Sequence, residues 1–312
     1  MLQLPPVDAI STAMPGFARR SAQRSSRSPL APAAAGTLRA WAFRVIKYPL
    51  LARFAVPWRW PRTVPLDAWE RIGLRSRSGA TLAALYGAAE SESKGVVVCA
   101  HPLRKDAKGY FLSSGRADML RRNGYDVLLF DFNGFGESAD GDFNYIHDVL
   151  AAADYACERA RGLPVHALAV CFGAVWTLGA ATLDHPFSTI VVEAPLTTMQ
   201  EFYARHPLAS AFFRLLWRLF PRSAATASPI DCAGNLTGAP KLLIIGGLDD
   251  AIAPPDMTRR LYEACNLPSG ARRIWYVEGA AHLRAFETAP QEYEARLTDF
   301  FAAAVGRPTL VW

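Results

Sequence analysis

"VHALAVCFGAVWTLGAA" (residues 165–181) joins two kinds of sequence in one stretch. Up to Val170 it is apolar and rich in Val, as expected of a strand buried on both faces. After Cys171 it becomes helix-like and rich in Ala and Gly. A strand that runs straight into a helix leaves one residue at a sharp turn, and here that residue is Cys171. Two readings follow: a buried packing thiol, or a nucleophile held at the turn.

The surrounding sequence decides what kind of sheet this strand joins. "WERIGLRS" and "ATLAALYG" read as an antiparallel pair around Ser78 and Gly79. "GVVVCA" (95–100), "DVLLFD" (126–131), "STIVVEA" (188–194), "KLLIIG" (241–246) and "RIWYVE" (273–278) read as further strands. Helical patterns fall between them, at about 107–122, at 145–161, after Cys171, near 255–266 and from about 288 to 305. Strands alternating with helices imply right-handed crossovers and a mostly parallel, doubly wound α/β sheet. The rhythm breaks over 195–239, where "MQEFYARHPLASAFFRLLWRLFPR" is a strongly apolar helical pattern. An insertion between two core strands would roof the carboxyl edge of the sheet, so 195–239 reads as a helical cap. The α/β core is expected over 67–194 and 240–306.

With this order of elements, Ala169-Val170-Cys171-Phe172-Gly173 resembles the nucleophile elbow of the α/β-hydrolase superfamily. Ala169 stands where the first Gly is usual, and Cys171 where Ser is commoner. Cysteine at this place is similar to dienelactone hydrolases and to the bile-acid-type acyl-CoA:amino-acid acyltransferases. The resemblance to the superfamily covers roughly 68–305. It implies the α/β-hydrolase fold and a triad in the chain order nucleophile, acid, base. "IIGGLDDAIAPPD" then offers Asp250, four residues before Pro254, in preference to Asp249. "VEGAAHLRAF" offers His282 after Gly279.

Each residue type suits the chemistry. A thiol becomes a strong nucleophile when an imidazole and a helix N-terminus favour the thiolate. His282 would move the proton, and Asp250 would hold its tautomer. The oxyanion needs two backbone N–H donors. Phe172 N–H is the first expected, and Leu103 N–H, from the "HPLR" loop after "GVVVCA", is the second. Pro102 in that loop has no N–H and fixes its own φ. Trp217, Phe213 and Arg104 are candidate substrate contacts. In "FDFNGFGES" (130–138), Gly134 and Gly136 read as turn residues, with Asp131 and Ser138 as loop-fixing hydrogen bonders. His101 reads as bracing its loop, and Cys99, Cys157 and Cys265 as packing residues.

Composition bounds the rest. The net charge of +6 is concentrated. Residues 1–62 hold ten basic residues and one acid, a net +9, which leaves −3 for the remainder. The basic character therefore belongs to an appendage, and nucleic-acid binding is not expected of the core. Residues 1–36 read as a disordered leader, although an Arg- and Ser-rich, acid-poor stretch also describes a transit peptide. The basic, aromatic-rich segment 37–66 includes "LRAWAFRVIKYPLLARFAVPWRW" (38–60), which reads equally as a membrane-interface segment or as helices packed on the domain. Five cysteines with no C-x-x-C pair argue against a zinc site or a disulfide framework, and no cofactor is expected. A cytoplasmic protein, with peripheral membrane contact through 38–60 as one reading, is the expectation. So is a small-molecule or carrier-bound acyl substrate. The function expected is hydrolysis of an ester or thioester of a hydrophobic acyl group through an acyl-cysteine. Transfer of the acyl group to a non-water acceptor, as in an acyltransferase or condensing enzyme, is the alternative. A non-catalytic hydrolase-fold binding protein is the third reading.

Overall fold

No side chain from Val96 to Ala100 reaches solvent in the computed structural model, because this strand sits near the middle of an eight-stranded sheet. The structure describes residues 58–142, 144–204 and 228–303, with isolated positions at 56, 210, 211, 214, 215 and 218. The strands are β1 Glu70–Arg75, β2 Thr81–Gly87, β3 Val96–Ala100, β4 Asp126–Phe130, β5 Val165–Val170, β6 Phe187–Glu193, β7 Lys241–Gly247 and β8 Arg272–Val277. Their spatial order is β1-β2-β4-β3-β5-β6-β7-β8. The β1–β2 and β2–β4 pairs are antiparallel and every other pair is parallel. This is the α/β-hydrolase fold.

Side chains alternate across the sheet with a period of two. Val96, Val98 and Ala100 enter the core on one face, and Val97 and Cys99 the core on the other. The first face is covered by α3 Ile146–Ala160, α4 Phe172–Ala180, α6 Pro229–Ala233 and α7 Pro255–Ala264. The second is covered by α1 Gly109–Ser113, α2 Arg116–Arg122, α8 Ala285–Thr288 and α9 Pro290–Ala302. One further described helix, α5 Met199–Ala204, begins the segment read as a cap. Met199 is buried, and Phe202 and Tyr203 pack against the first core. Most of the apolar pattern that follows lies outside the described residues. Of it, Arg214, Leu215 and Arg218 are described and are exposed.

Two local expectations need correction. The helix expected over 107–122 is two helices, because Gly115 between them takes φ 79°. Only glycine enters that left-handed region without strain, and the break turns Arg116 into the core. Cys157, expected to be a packing residue, is exposed. The buried stripe of α3 runs through Val149, Ala152, Ala153, Ala156 and Ala160, and helical spacing puts position 157 off that stripe.

At the amino-terminal end of the described chain, Trp58 and Trp60 are half-buried against the second core. The Trp58 ring lies 5.1 Å from Lys108 Nζ, and its indole N–H donates to Glu137 at 3.2 Å. The rest of 38–60 lies outside the described residues, apart from Val56 and Arg59. No helix among the described residues is long and apolar enough to cross a membrane.

Candidate active site

The carboxyl ends of β3, β5, β6, β7 and β8 lie side by side, and the loops leaving them form the candidate site. In open α/β sheets this edge is where ligands are held.

Cys171 stands between β5 and α4 with φ 49° and ψ −105°. This is a strained conformation for a residue with a side chain, and it lifts the thiol out of the line of the strand. The turn is possible because Gly173 has no side chain. A Cβ there would stand 2.1 Å from the Ala100 carbonyl oxygen of the neighbouring strand. The Cys171 N–H donates to the Glu193 carbonyl at 2.9 Å, which ties the elbow to the end of β6.

Asp250 lies in the loop after β7 and is buried. Its Oδ1 accepts the N–H groups of Ile252 and Ala253, at 2.8 and 2.7 Å. Its Oδ2 accepts the Nδ1–H of His282 at 2.7 Å. Asp249 is exposed and instead donates its backbone N–H to the Ala280 carbonyl. The approach of the two loops depends on Gly247, where a Cβ would meet the Ala280 oxygen at 2.2 Å.

The neighbours of His282 shift its ionisation. Burial acts to lower its pKa. The Asp250 hydrogen bond, the Cys171 hydrogen bond and the charges of both outweigh burial and push the imidazole up to about 10. With Nδ1 occupied by Asp250, the ring meets Cys171 through Nε2. The structure thus brings Cys171, Asp250 and His282 together.

Among the described residues, neither Phe172 N–H nor Leu103 N–H donates to another protein group. Both donors beside the elbow are therefore available to a ligand. His101 pins the Leu103 loop. Its Nδ1–H donates to the Pro102 carbonyl at 2.8 Å, and its Nε2 accepts the Phe132 N–H at 3.2 Å. Full burial lowers its pKa, so the ring stays neutral in that tautomer. Phe172 is held from the other side by aromatic rings. Those of Phe132, Phe135, Tyr145 and Trp176 lie 5.2–5.8 Å from its own.

The remaining sequence candidates are not gathered here. Arg104 is half exposed and its guanidinium is paired with Asp106 at 2.9 and 3.2 Å. Trp217 and Phe213 lie outside the described residues. Asp131 and Ser138 fix their loop: the Asp131 carboxylate takes Lys108 N–H, Lys108 Nζ and Glu137 N–H, while Ser138 Oγ donates to the Asp131 carbonyl. Sequence reasoning missed the aromatic cage and a buried arginine, Arg116, behind the site. The partners of Arg116 lie far apart in the chain, and the cage joins two short-range aromatic pairs, Phe132–Phe135 and Phe172–Trp176, that no local spacing brings together.

The Hydrolase_4 family, described as serine aminopeptidase S33, matches residues 91–241. Lysophosphatidylserine lipase ABHD12 of Xenopus tropicalis is 26% identical over 172 residues, which are 50% of this chain and 42% of that protein. The chain thus spans less than half the length of this curated relative. Protein Rv2307c of Mycobacterium tuberculosis is 27% identical over 223 residues, 70% of this chain and 73% of that one. Among solved structures, the Pyrococcus furiosus esterase Pf2001 superposes with a TM-score of 0.63 at 18% identity, covering 80% of this chain and 97% of that one. XC6422 from Xanthomonas campestris, described as a serine hydrolase without a lid, has a TM-score of 0.55 at 18% identity and covers 79% of this chain and 99% of that one. The solved structures share the α/β-hydrolase fold with this chain, and the Hydrolase_4 match over residues 91–241 agrees with that fold.

Proposed function

We propose that this α/β-hydrolase-fold chain cleaves an ester or thioester of a hydrophobic acyl group through an acyl-cysteine on Cys171. One observation carries the reading: a half-buried His282, held by the buried Asp250, meets a thiol at a positive-φ elbow, with the imidazole raised to about 10. An imidazole beside a thiol is the group that activates sulfur as a nucleophile.

The thiolate sulfur attacks the acyl carbon, and the carbonyl oxygen gains the negative charge. Phe172 N–H and Leu103 N–H receive that charge. The bond to the leaving group breaks, and His282 Nε2–H gives its proton to the departing oxygen or sulfur. His282, now neutral, takes a proton from water, whose oxygen attacks the thioester carbon. The acid leaves, and the thiolate and imidazolium are restored. Throughout, Asp250 holds Nδ1–H and steadies the imidazolium.

A hydrophobic substrate is supported by the rim. Leu248 and Ile252, on either side of Asp250, are both exposed. The lipase name of the ABHD12 relatives agrees in kind, so lysophospholipids belong in any substrate panel. Transfer to a non-water acceptor is the second reading. It is favoured by the burial of Cys171, which at 5% exposure is little open to water.

The test is acylation read by intact mass, with acyl-CoA, aryl-ester and lysophospholipid panels. An acyl adduct in the parent that is absent in Cys171→Ala supports both readings. Release by water alone, or only after an amine, alcohol or thiol is added, separates them. No adduct, no turnover and a Cys171 that alkylates no faster than a free thiol would sink both.

A further inference from the structure

A fully buried arginine is costly unless its charge and its donors are met. Arg116, the first residue of α2, has no exposed side-chain surface. Its Nη2 donates to Glu193 Oε1 at 2.8 Å, and Glu193 is itself 1% exposed. The second Glu193 oxygen accepts the Tyr293 hydroxyl at 2.8 Å. Glu287, from α8, meets the other side of the guanidinium at 3.3 and 3.4 Å. The rings of Tyr110, Phe286 and Tyr293 lie 5.0, 5.1 and 5.5 Å from its Cζ. Four chain regions converge on this one side chain.

Two of its contacts lead to the candidate triad. Glu193 ends β6, and its backbone carbonyl accepts the Cys171 N–H. Arg116 Nη2 also donates to the carbonyl of Leu283 at 3.5 Å, and the Tyr110 hydroxyl donates to the same oxygen at 3.3 Å. Leu283 directly follows His282 and takes φ 64°, a conformation a leucine holds only under constraint. A continuous path therefore runs from the nucleophile's backbone, through Glu193 and Arg116, to the backbone beside the base. It uses no side chain of the triad. A guanidinium suits this place because its rigid, planar fork holds a carboxylate and a carbonyl together in a fixed geometry.

We propose that the Arg116–Glu193 pair, with Tyr110, is a brace behind the site that positions His282 against Cys171. The pair touches no reacting atom; it is a positioning device, and it rests on the Cys171–His282 reading above. Small errors in such placement are amplified in reactivity.

The test reads the pH profile of Cys171 alkylation by iodoacetamide in the full chain. Parent, His282→Ala, Arg116→Met/Glu193→Gln and Tyr110→Phe are compared, with thermal melts alongside. The double replacement removes both buried charges together, so neither is left unpaired. Expected for the double variant are a retained fold, alkylation at pH 7 slower by about tenfold, and a profile moved to higher pH. Tyr110→Phe keeps the ion pair and loses one donor to Leu283, with a smaller slowing of about threefold expected. It carries the test if the double variant does not fold. A folded variant with the parent's rate and profile overturns the brace while His282→Ala, if slow, leaves the Cys171–His282 reading standing. If His282→Ala alkylates as fast as the parent, the reading itself fails and the brace with it.

Discussion

At the scale of single residues, the chemistry depends on what Cys171, Gly173 and His282 are compelled to do. Gly173→Ala puts a methyl group 2.1 Å from the Ala100 oxygen. Strand or helix must shift, so a loss of about 1–3 kcal/mol in urea unfolding is expected, together with loss of acylation. An unchanged midpoint would mean that the elbow is looser than its geometry. His282 gives a signed pH dependence. Its folded pKa of about 10 lies above the ~6.5 of an unfolded chain. Between those values the folded state keeps a proton that the unfolded state releases. The stabilisation is complete below about pH 6.5 and is lost as pH rises through 10. The stability gap between parent and His282→Gln should therefore shrink from pH 6 to pH 10 in equilibrium unfolding. A gap that stays constant would contradict the coupling to Asp250 and Cys171.

At the scale of elements, the loops that carry the site are held by buried ion pairs. Lys108, at the amino-terminal edge of α1, is fully buried and meets Asp131 at 2.5 Å and Glu137 at 2.7 Å. Lys108→Met would leave the fully buried Asp131 carboxylate without its cation. The cost expected is about 3–5 kcal/mol, read as a lower melting temperature. Trp58 covers this cluster, and Gly109 is small because a Cβ would stand 2.6 Å from its ring. Trp58→Ala should destabilise by a smaller amount, about 1–3 kcal/mol. A variant that melts like the parent would show that Trp58 covers the cluster without stabilising it. The elbow, the strands and the order of the triad were legible in the sequence, since each has a local period or spacing. The break at Gly115 and the exposure of Cys157 were readable in principle. The first needed a glycine given more weight as a helix end, and the second a stricter count along the stripe of α3.

At the scale of the whole molecule, charge is divided between two parts of the chain. The net +9 of residues 1–62 precedes a core of opposite sign. Trp58 and Trp60 pack on the domain, so a membrane-binding role for the basic segment would fall on the residues before them. Removing residues 1–57 should then abolish flotation with anionic vesicles and leave acylation of Cys171 in place. Salt should weaken the parent's flotation, because screening shortens the reach of surface charge. Equal flotation with and without the segment would end that reading.

By itself, the sequence determined the strand and helix order and the mostly parallel sheet. Those follow from hydrophobic period and from turn residues, which are local properties. Only the tertiary structure decided that Arg116 lies behind the site, paired with Glu193 and Glu287. This depends on contacts between residues as much as 171 positions apart. Such contacts arise only when crossovers bring separate strand ends to one edge, and no spacing along the chain encodes them.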